Sequence, residues 1–171
     1  NVDWMVGHYK PEVVIHMASF PRQKAVSADP VYGARAMMVG AMQILEAAKK
    51  HHVRRFVYIS SSMVYGDFTD DISEDAPCNP IGQYGIMKLA GEWLVKDYAA
   101  RTGMEYTIIR PSAVYGPRDI EDRVVSKFLI AAMQDQPLKV KGEREMLDFT
   151  YVDDAVTGII SAALSDRAID K

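Results

Sequence analysis

Two side chains four residues apart, Tyr84 and Lys88, have the types and the spacing that suit proton transfer. On an α-helix they would lie on one face, one turn apart. A nearby ammonium favours the phenolate and so lowers the pKa of a tyrosine from its usual value of about 10. The pair therefore predicts a tyrosine that acts as a base near neutral pH. The simpler interpretation of this common spacing is a packed ring beside a solvated lysine.

Three consecutive serines at positions 60–62 directly follow the apolar run 56–59, which is typical of a buried strand. A hydroxyl that leaves such a strand can hydrogen-bond a reacting oxygen, and Ser61 is the candidate for this role. The simpler interpretation is a loop serine that caps backbone amides. Together with Tyr84 and Lys88, Ser61 predicts a site for chemistry at a carbonyl or an alcohol.

Along the sequence, short apolar runs alternate with longer segments of helical period, a pattern that is typical of an α/β fold. The strands and helices that it predicts would position Ser61, Tyr84 and Lys88. Strands are predicted at 13–16, 55–60 and 106–110, with a shorter one at 138–141. Helices are predicted at 30–50, 83–101, 122–134 and 153–164. Helical crossovers between the three main strands predict a doubly wound parallel sheet. Its ligand site would lie beyond the carboxyl ends of the strands.

The segments at those strand ends, 16–19, 60–62 and 111–113, are rich in small or hydroxylic residues. This composition suits a flat ring that lies across the strand ends. No glycine-rich G-x-G-x-x-G turn occurs in the sequence, although a dinucleotide pyrophosphate needs one. We therefore expect a sheet that is incomplete at its N-terminus, with its first strands upstream.

The composition of the chain excludes several classes of function. The 171 residues amount to one domain, and a net charge of −3 predicts no general attraction to nucleic acid or to anionic membranes. No apolar run is long enough to span a bilayer. The four histidines make no metal-ligand spacing, so no metal site is expected. The single Cys78 suits a reducing compartment and predicts a cytoplasmic location.

These residues carry a family resemblance that runs along nearly the whole chain. The chain resembles the middle of an extended short-chain dehydrogenase/reductase, in the NAD-dependent sugar-nucleotide epimerase/dehydratase group. The matching stretches are 11–18, 45–50, 60–66, Asn79-Pro80 with 84–88, 110–118 and 148–154. The resemblance implies a Rossmann-type fold, of which residues 1–171 are the central part of a single NAD-binding domain. Substrate-side elements would begin after about residue 112.

The resemblance also implies roles for particular residues in an NAD-dependent epimerase that oxidises a sugar hydroxyl and then returns the hydride. Tyr84 would be the general base and acid, Lys88 would lower its pKa and hold the nicotinamide ribose, and Ser61 would bind the reacting oxygen. Cofactor-binding residues would be Ala18, Ser19, Tyr84, Lys88, Pro111 and Ser112. Substrate contacts would come from Ser62 and Arg118.

Several positions depart from the family pattern. Met37 and Ala113 stand where the family usually has asparagine, and Leu147 stands where it often has arginine. At 62–63 the chain has Ser-Met in place of the acid pair that dehydratases carry after their catalytic threonine, which argues against 4,6-dehydration.

Two alternatives stay open. One is an NAD(P)-dependent reductase of a non-sugar ketone, which Ala113 and Leu147 would permit. The other is a catalytically inactive or truncated relative, which the missing glycine turn would permit. The expected partners are a small-molecule substrate, in the leading hypothesis a nucleotide sugar, and a second copy of the chain. The broad apolar stripes of helices 29–50 and 83–101 predict that homodimer.

Overall fold

The structure is a computed structural model, and it describes residues 1–20, 22–67, 72–119, 123–140 and 147–171. Its strands are β1 (Val13–His16), β2 (Arg55–Ile59), β3 (Glu105–Ile109), β4 (Val114–Tyr115) and β5 (Thr150–Tyr151). Its α-helices are α1 (Val2–Tyr9), α2 (Arg22–Ala28), α3 (Pro30–Ala34), α4 (Gly40–Lys50), α5 (Gly82–Thr102), α6 (Val124–Met133) and α7 (Val152–Leu164).

The central sheet is parallel, with the strand order β1-β2-β3. Val14 lies opposite Phe56, and Phe56 lies opposite Tyr106. Helices connect these strands along the chain, which allows the strands to run parallel. Because they are parallel, their three carboxyl ends meet at one edge of the sheet. The predicted α/β fold with a parallel sheet is confirmed.

The alternation of side chains along β2 shows that the sheet is covered on both faces. Phe56 and Tyr58 join the main core with Leu45 of α4 and Val95 of α5. Arg55 points to the other face, where its guanidinium donates to the carbonyl of Ala163 near the end of α7. Full burial of a side chain such as Leu45 or Phe56 stabilises the fold by roughly 1.5–3 kcal/mol.

The helix predicted at 30–50 is present, but it is not α-helical throughout. It begins where the Asp29 carboxylate accepts a hydrogen bond from the Tyr32 amide at 3.0 Å, with Pro30 in the first turn. Between α3 and α4 the stretch Arg35–Val39 is π-helical, a feature for which the periodicity of the sequence gives no signal.

Other elements differ from the sequence predictions. Helices α1 and α2 were not predicted; α1 is capped by the Asn1 side chain and ends at Lys10 in the left-handed conformation. The strand predicted at 138–141 is wrong for residues 138–140, which have no regular structure, and Lys141 lies outside the described residues. An alternating pattern makes a strand only when a partner lies beside it; here the second, two-stranded sheet pairs β4 with β5 instead.

Within the described part of the chain, no helix has both the length and the apolar character that crossing a membrane requires.

Candidate active site

A cavity of about 490 Å³ opens at the carboxyl edge of the central sheet. Its walls come from the ends of all three strands, the start of α5, the start of α6 and the segment before β5. Most of the predicted site residues line it, namely Ser19, Ser61, Ser62, Tyr84, Lys88, Pro111 and Ser112. Parallel topology thus brings together residues that are as much as 93 positions apart in the sequence, from Ser19 to Ser112.

The first turn of α5 is fixed from outside the helix. Its N-cap residue, Ile81, makes no side-chain cap, and the four N–H groups at a helix start need other partners. Gln23 of α2 supplies one, because its side-chain oxygen accepts the Tyr84 amide at 3.0 Å. Gly82 has a φ of 78°, and a Cβ there would lie 2.6 Å from the Gln23 side chain. Gly82 and Gln23 therefore hold Tyr84 in place in the first turn of α5.

The Tyr84 phenol and the Ser61 hydroxyl line the same cavity. Burial raises the pKa of Tyr84, while the Ser61 hydrogen bond and the positive charge of Arg123 act in the opposite direction. The sequence-based expectation of a lowered pKa is therefore wrong for this structure. The reason is that desolvation outweighs the two groups that stabilise the phenolate.

The Lys88 ammonium lies in the same buried region but is directed at the backbone. Its Nζ donates to the Ile59 carbonyl at 2.7 Å and stands 5.8 Å from the centre of the Tyr84 ring. Burial lowers the pKa of Lys88 to about 8, and the charge of Glu92 partly opposes this effect. Lys88 is therefore predominantly protonated at neutral pH.

The serines at the end of β2 have three different environments. Ser61 Oγ accepts the Met63 amide at 3.2 Å, as the simpler capping interpretation expects, and Ser61 also lines the cavity, where its role in the site stays a prediction. The Ser62 amide donates to the Pro111 carbonyl at 3.1 Å, which ties the ends of β2 and β3 together. Ser60 Oγ points away from them and donates to Glu92 at 2.5 Å.

Two predicted site residues lie outside the cavity wall. Ala18 is exposed, and its neighbours Met17 and Ser19 line the cavity instead. Arg118 is exposed on a turn, with a φ of 69°. Their assigned roles stay predictions.

Sequence reasoning missed several polar residues of the wall, among them Gln23 and Arg123. Arg123 precedes α6, and its Nη2 donates to the Val114 carbonyl at 2.9 Å. Neither residue belongs to a spacing pattern, because both reach the site through tertiary packing. Gln23 gave no signal, and Arg123 could have been found only as a charge at the start of a predicted helix.

His16, at the end of β1, is buried beside the rings of Phe56 and Tyr58. Burial, with a smaller contribution from the Lys88 charge, lowers its pKa to about 4. The ring is therefore neutral at physiological pH.

The whole chain, residues 1–171, matches the model of the NAD dependent epimerase/dehydratase family. Among its relatives is the uncharacterized UDP-glucose epimerase YtcB of Bacillus subtilis, 33% identical over 150 residues, which are 86% of this chain and 48% of that protein. The UDP-glucose 4-epimerase of Mycolicibacterium smegmatis is 34% identical over 164 residues, 92% of this chain and 52% of that protein. The chain thus spans about half the length of these relatives.

Solved structures of UDP-sugar 4-epimerases superpose closely on this fold. The UDP-glucuronic acid 4-epimerase from Bacillus cereus, in complex with UDP-glucuronic acid and NAD, matches with a TM-score of 0.88 and 30% identity, over 99% of this chain and 54% of that one. The UDP-glucose 4-epimerase of Thermus thermophilus, in complex with NAD, has a TM-score of 0.86 and 26% identity, over 96% of this chain and 57% of that one.

Proposed function

The chain belongs to the NAD-dependent epimerase/dehydratase family, and we propose that its protein is an NAD-dependent sugar-nucleotide 4-epimerase. The observation that carries this proposal is that the Ser61 hydroxyl, the Tyr84 phenol and Lys88 line one cavity, with Ser61 acting to lower the pKa of the phenol. A proton donor and acceptor therefore stands beside a second hydroxyl that can hold the reacting oxygen. We further propose that residues 1–171 are the central part of one NAD-binding domain, with substrate-side elements beginning after about residue 112.

The residues at the strand ends fit the nicotinamide half of NAD. Ser19, Pro111 and Ser112 make a wall of small side chains on which a flat ring can lie. Lys88 has three N–H donors, and one of them reaches Ile59. Within the described part of the chain the other two make no hydrogen bond, and we propose that they bind ribose hydroxyls. Bound there, NAD would supply the acceptor for a hydride from the sugar carbon and its donor on return.

In this proposal Tyr84 carries the proton of the reaction. Its phenolate, which burial makes the minor form in the free site, would take the proton of the C4 hydroxyl as the sugar alcohol is oxidised to a 4-ketone. The phenol would return that proton to the C4 oxygen when the ketone, presented from its other face, is reduced again. Ser61 holds the C4 oxygen throughout by a hydrogen bond. No net oxidation results, which is what an isomerase requires.

The proposed substrate class is supported by the relatives, whose names and complexes include UDP-glucose and UDP-glucuronic acid. Ser62 lies in the cavity wall, where it can contact the sugar. Arg118 is proposed as a contact to the substrate from the exposed turn after β4. Cytoplasmic location stays a prediction from the composition.

A homodimer is proposed from exposed apolar side chains on the helices predicted to form it. On the helical stretch 30–50 these side chains are Tyr32, Val39 and Met42, and on α5 they are Ile86 and Trp93. Large exposed apolar side chains gathered on neighbouring helices are typical of an interface.

The experiment is an NMR assay of the full-length protein with UDP-glucose and, separately, UDP-glucuronic acid. We expect the C4 epimer of one of them to appear without consumption of added NAD. The alternative reductase is favoured by the apolar Ala113 and Leu147 in the cavity wall. Net oxidation of NADH or NADPH with a simple ketone, and no epimer from either sugar nucleotide, would establish that alternative and overturn the epimerase.

A further inference from the structure

A buried carboxylate, Glu92, lies one helical turn beyond Lys88 in α5 and outside the cavity wall. We propose that Glu92 is a positioning residue: its carboxylate, fixed by Ser60 and Arg110, keeps the Lys88 ammonium charged within the buried site. The importance of that charge for NAD rests on the proposed function, but the charge itself can be measured without it.

The geometry around Glu92 is that of a fixed anion. Arg110, just after β3, donates to its two oxygens from Nε at 2.9 Å and from Nη2 at 2.7 Å. Ser60, just after β2, donates at 2.5 Å. Paired donors from one guanidinium hold a carboxylate in both position and orientation. The carboxylate therefore cannot turn away from its place beside Lys88.

The far side of Arg110 is also satisfied. Its Nη1 donates to the Tyr65 hydroxyl at 2.7 Å and to the Glu74 carbonyl at 3.1 Å. A buried ion pair persists when further hydrogen bonds satisfy its remaining donors and acceptors. The network thus lets the fold keep a charged glutamate that is only 1% exposed.

Lys88 is stabilised by its hydrogen bond to the Ile59 carbonyl, but the titratable groups that it faces from β1, β2 and its own turn of α5 are neutral. From β1 it faces His16, which is neutral because its pKa is lowered to about 4. From β2 it faces the ring of Tyr58, 5.4 Å away, whose pKa is raised by burial so that it is also neutral. Tyr84, on its own helix, is neutral at rest for the same reason. Glu92 supplies the charge that opposes the effect of burial on Lys88.

The test is an NMR titration of the Lys88 Cε resonance in the full-length protein, assigned by its loss in Lys88→Met. The wild-type midpoint is expected at about 8. In Glu92→Gln, which keeps the size of the side chain and an acceptor oxygen, the midpoint should fall by about one pH unit. The matched control is Asp97→Asn, which removes the same charge from an exposed position of α5 that pairs with Arg101. It should leave the midpoint unchanged.

An unchanged midpoint in Glu92→Gln, or an equal fall in Asp97→Asn, would overturn the proposal. If Glu92→Gln does not fold, the wild-type midpoint of Lys88 still decides: a value near 8 is the expected result, and a value below 7 would contradict the proposal. A protein that passes these tests but makes no epimer would refute the proposed function and leave this inference standing.

Discussion

The Lys88 ammonium donates a hydrogen bond of 2.7 Å to the backbone carbonyl of Ile59, and this contact ties α5 to the last residue of β2. It fixes a buried cation at the point where the strand ends and the cavity begins. The ammonium is thereby held 5.8 Å from the centre of the Tyr84 ring. Its main role is therefore expected in holding the cofactor.

Replacing Lys88 by methionine should weaken NAD binding by roughly tenfold to a hundredfold, because a hydrogen bond from a charged donor contributes about 1.5–3 kcal/mol. Calorimetric titration of the full-length protein, freed of bound nucleotide, measures this change. Lys96→Met is the control, since Lys96 lies on the same helix outside the cavity, with its ammonium over the Trp93 ring. Equal affinities of wild type and Lys88→Met would remove Lys88 from the cofactor site.

Arg123→Gln should raise the pKa of Tyr84, because the charge of Arg123 stabilises the phenolate. The acidic limb of the kcat/KM profile should then move to higher pH. The control is Lys127→Gln, the loss of one exposed positive charge a turn later in α6. An acidic limb that stays in place in Arg123→Gln, or moves as far in the control, would contradict this electrostatic role.

His16 should make the protein less stable as the pH falls from 6.5 towards 4. The folded state keeps its ring neutral, with a pKa of about 4, whereas the unfolded chain binds a proton at its ordinary value near 6.5. Protons therefore favour unfolding in this window, by about 2–3 kcal/mol at its acidic end.

Urea unfolding of the full-length protein at pH 7 and pH 4.5 measures this dependence, and His16→Leu should reduce it. The exposed His8, stacked on Trp4, provides the control variant His8→Leu, which should keep the wild-type dependence. An acid loss of stability that is identical in wild type and His16→Leu would show that other groups cause it.

Trp93→Glu should convert the proposed dimer into a monomer, because Trp93 is 66% exposed on α5 and a charge would oppose its burial between copies. Sedimentation of the full-length protein at micromolar concentration distinguishes the two states. Met133→Glu, at another exposed apolar position, the end of α6, should leave the dimer intact. A monomeric wild-type protein would overturn the proposed interface.

Local sequence signals predicted the strands and helices around the site well. The apolar run before Ser60 marked β2, and the helix predicted at 30–50 begins at Pro30, directly after the capping residue Asp29. Gly103, in the left-handed conformation at φ 73°, ends α5 close to the predicted boundary at residue 101. These signals act between residues that are close in sequence. Combined with a parallel sheet, they were enough to predict that Ser61, Tyr84 and Lys88 lie together at the carboxyl edge.

Contacts between distant residues could not be predicted in the same way. Gln23 caps the amide of Tyr84 across 61 positions of sequence, and no spacing pattern encodes that contact. The buried pair of Glu92 and Arg110 depends on the end of β3 lying beside α5. The raised pKa of Tyr84 depends on burial, which reversed the direction expected from its spacing to Lys88 alone.

The central claim is that Tyr84 transfers the proton in an NAD-dependent epimerisation. Its most direct test is the rate of C4 epimer formation by the full-length Tyr84→Phe protein, followed by NMR alongside Tyr106→Phe, which removes a tyrosine hydroxyl outside the cavity. We predict a fall of about 10²–10⁴-fold in Tyr84→Phe with NAD still bound, and wild-type turnover in the control. Near wild-type turnover in Tyr84→Phe would contradict the mechanism.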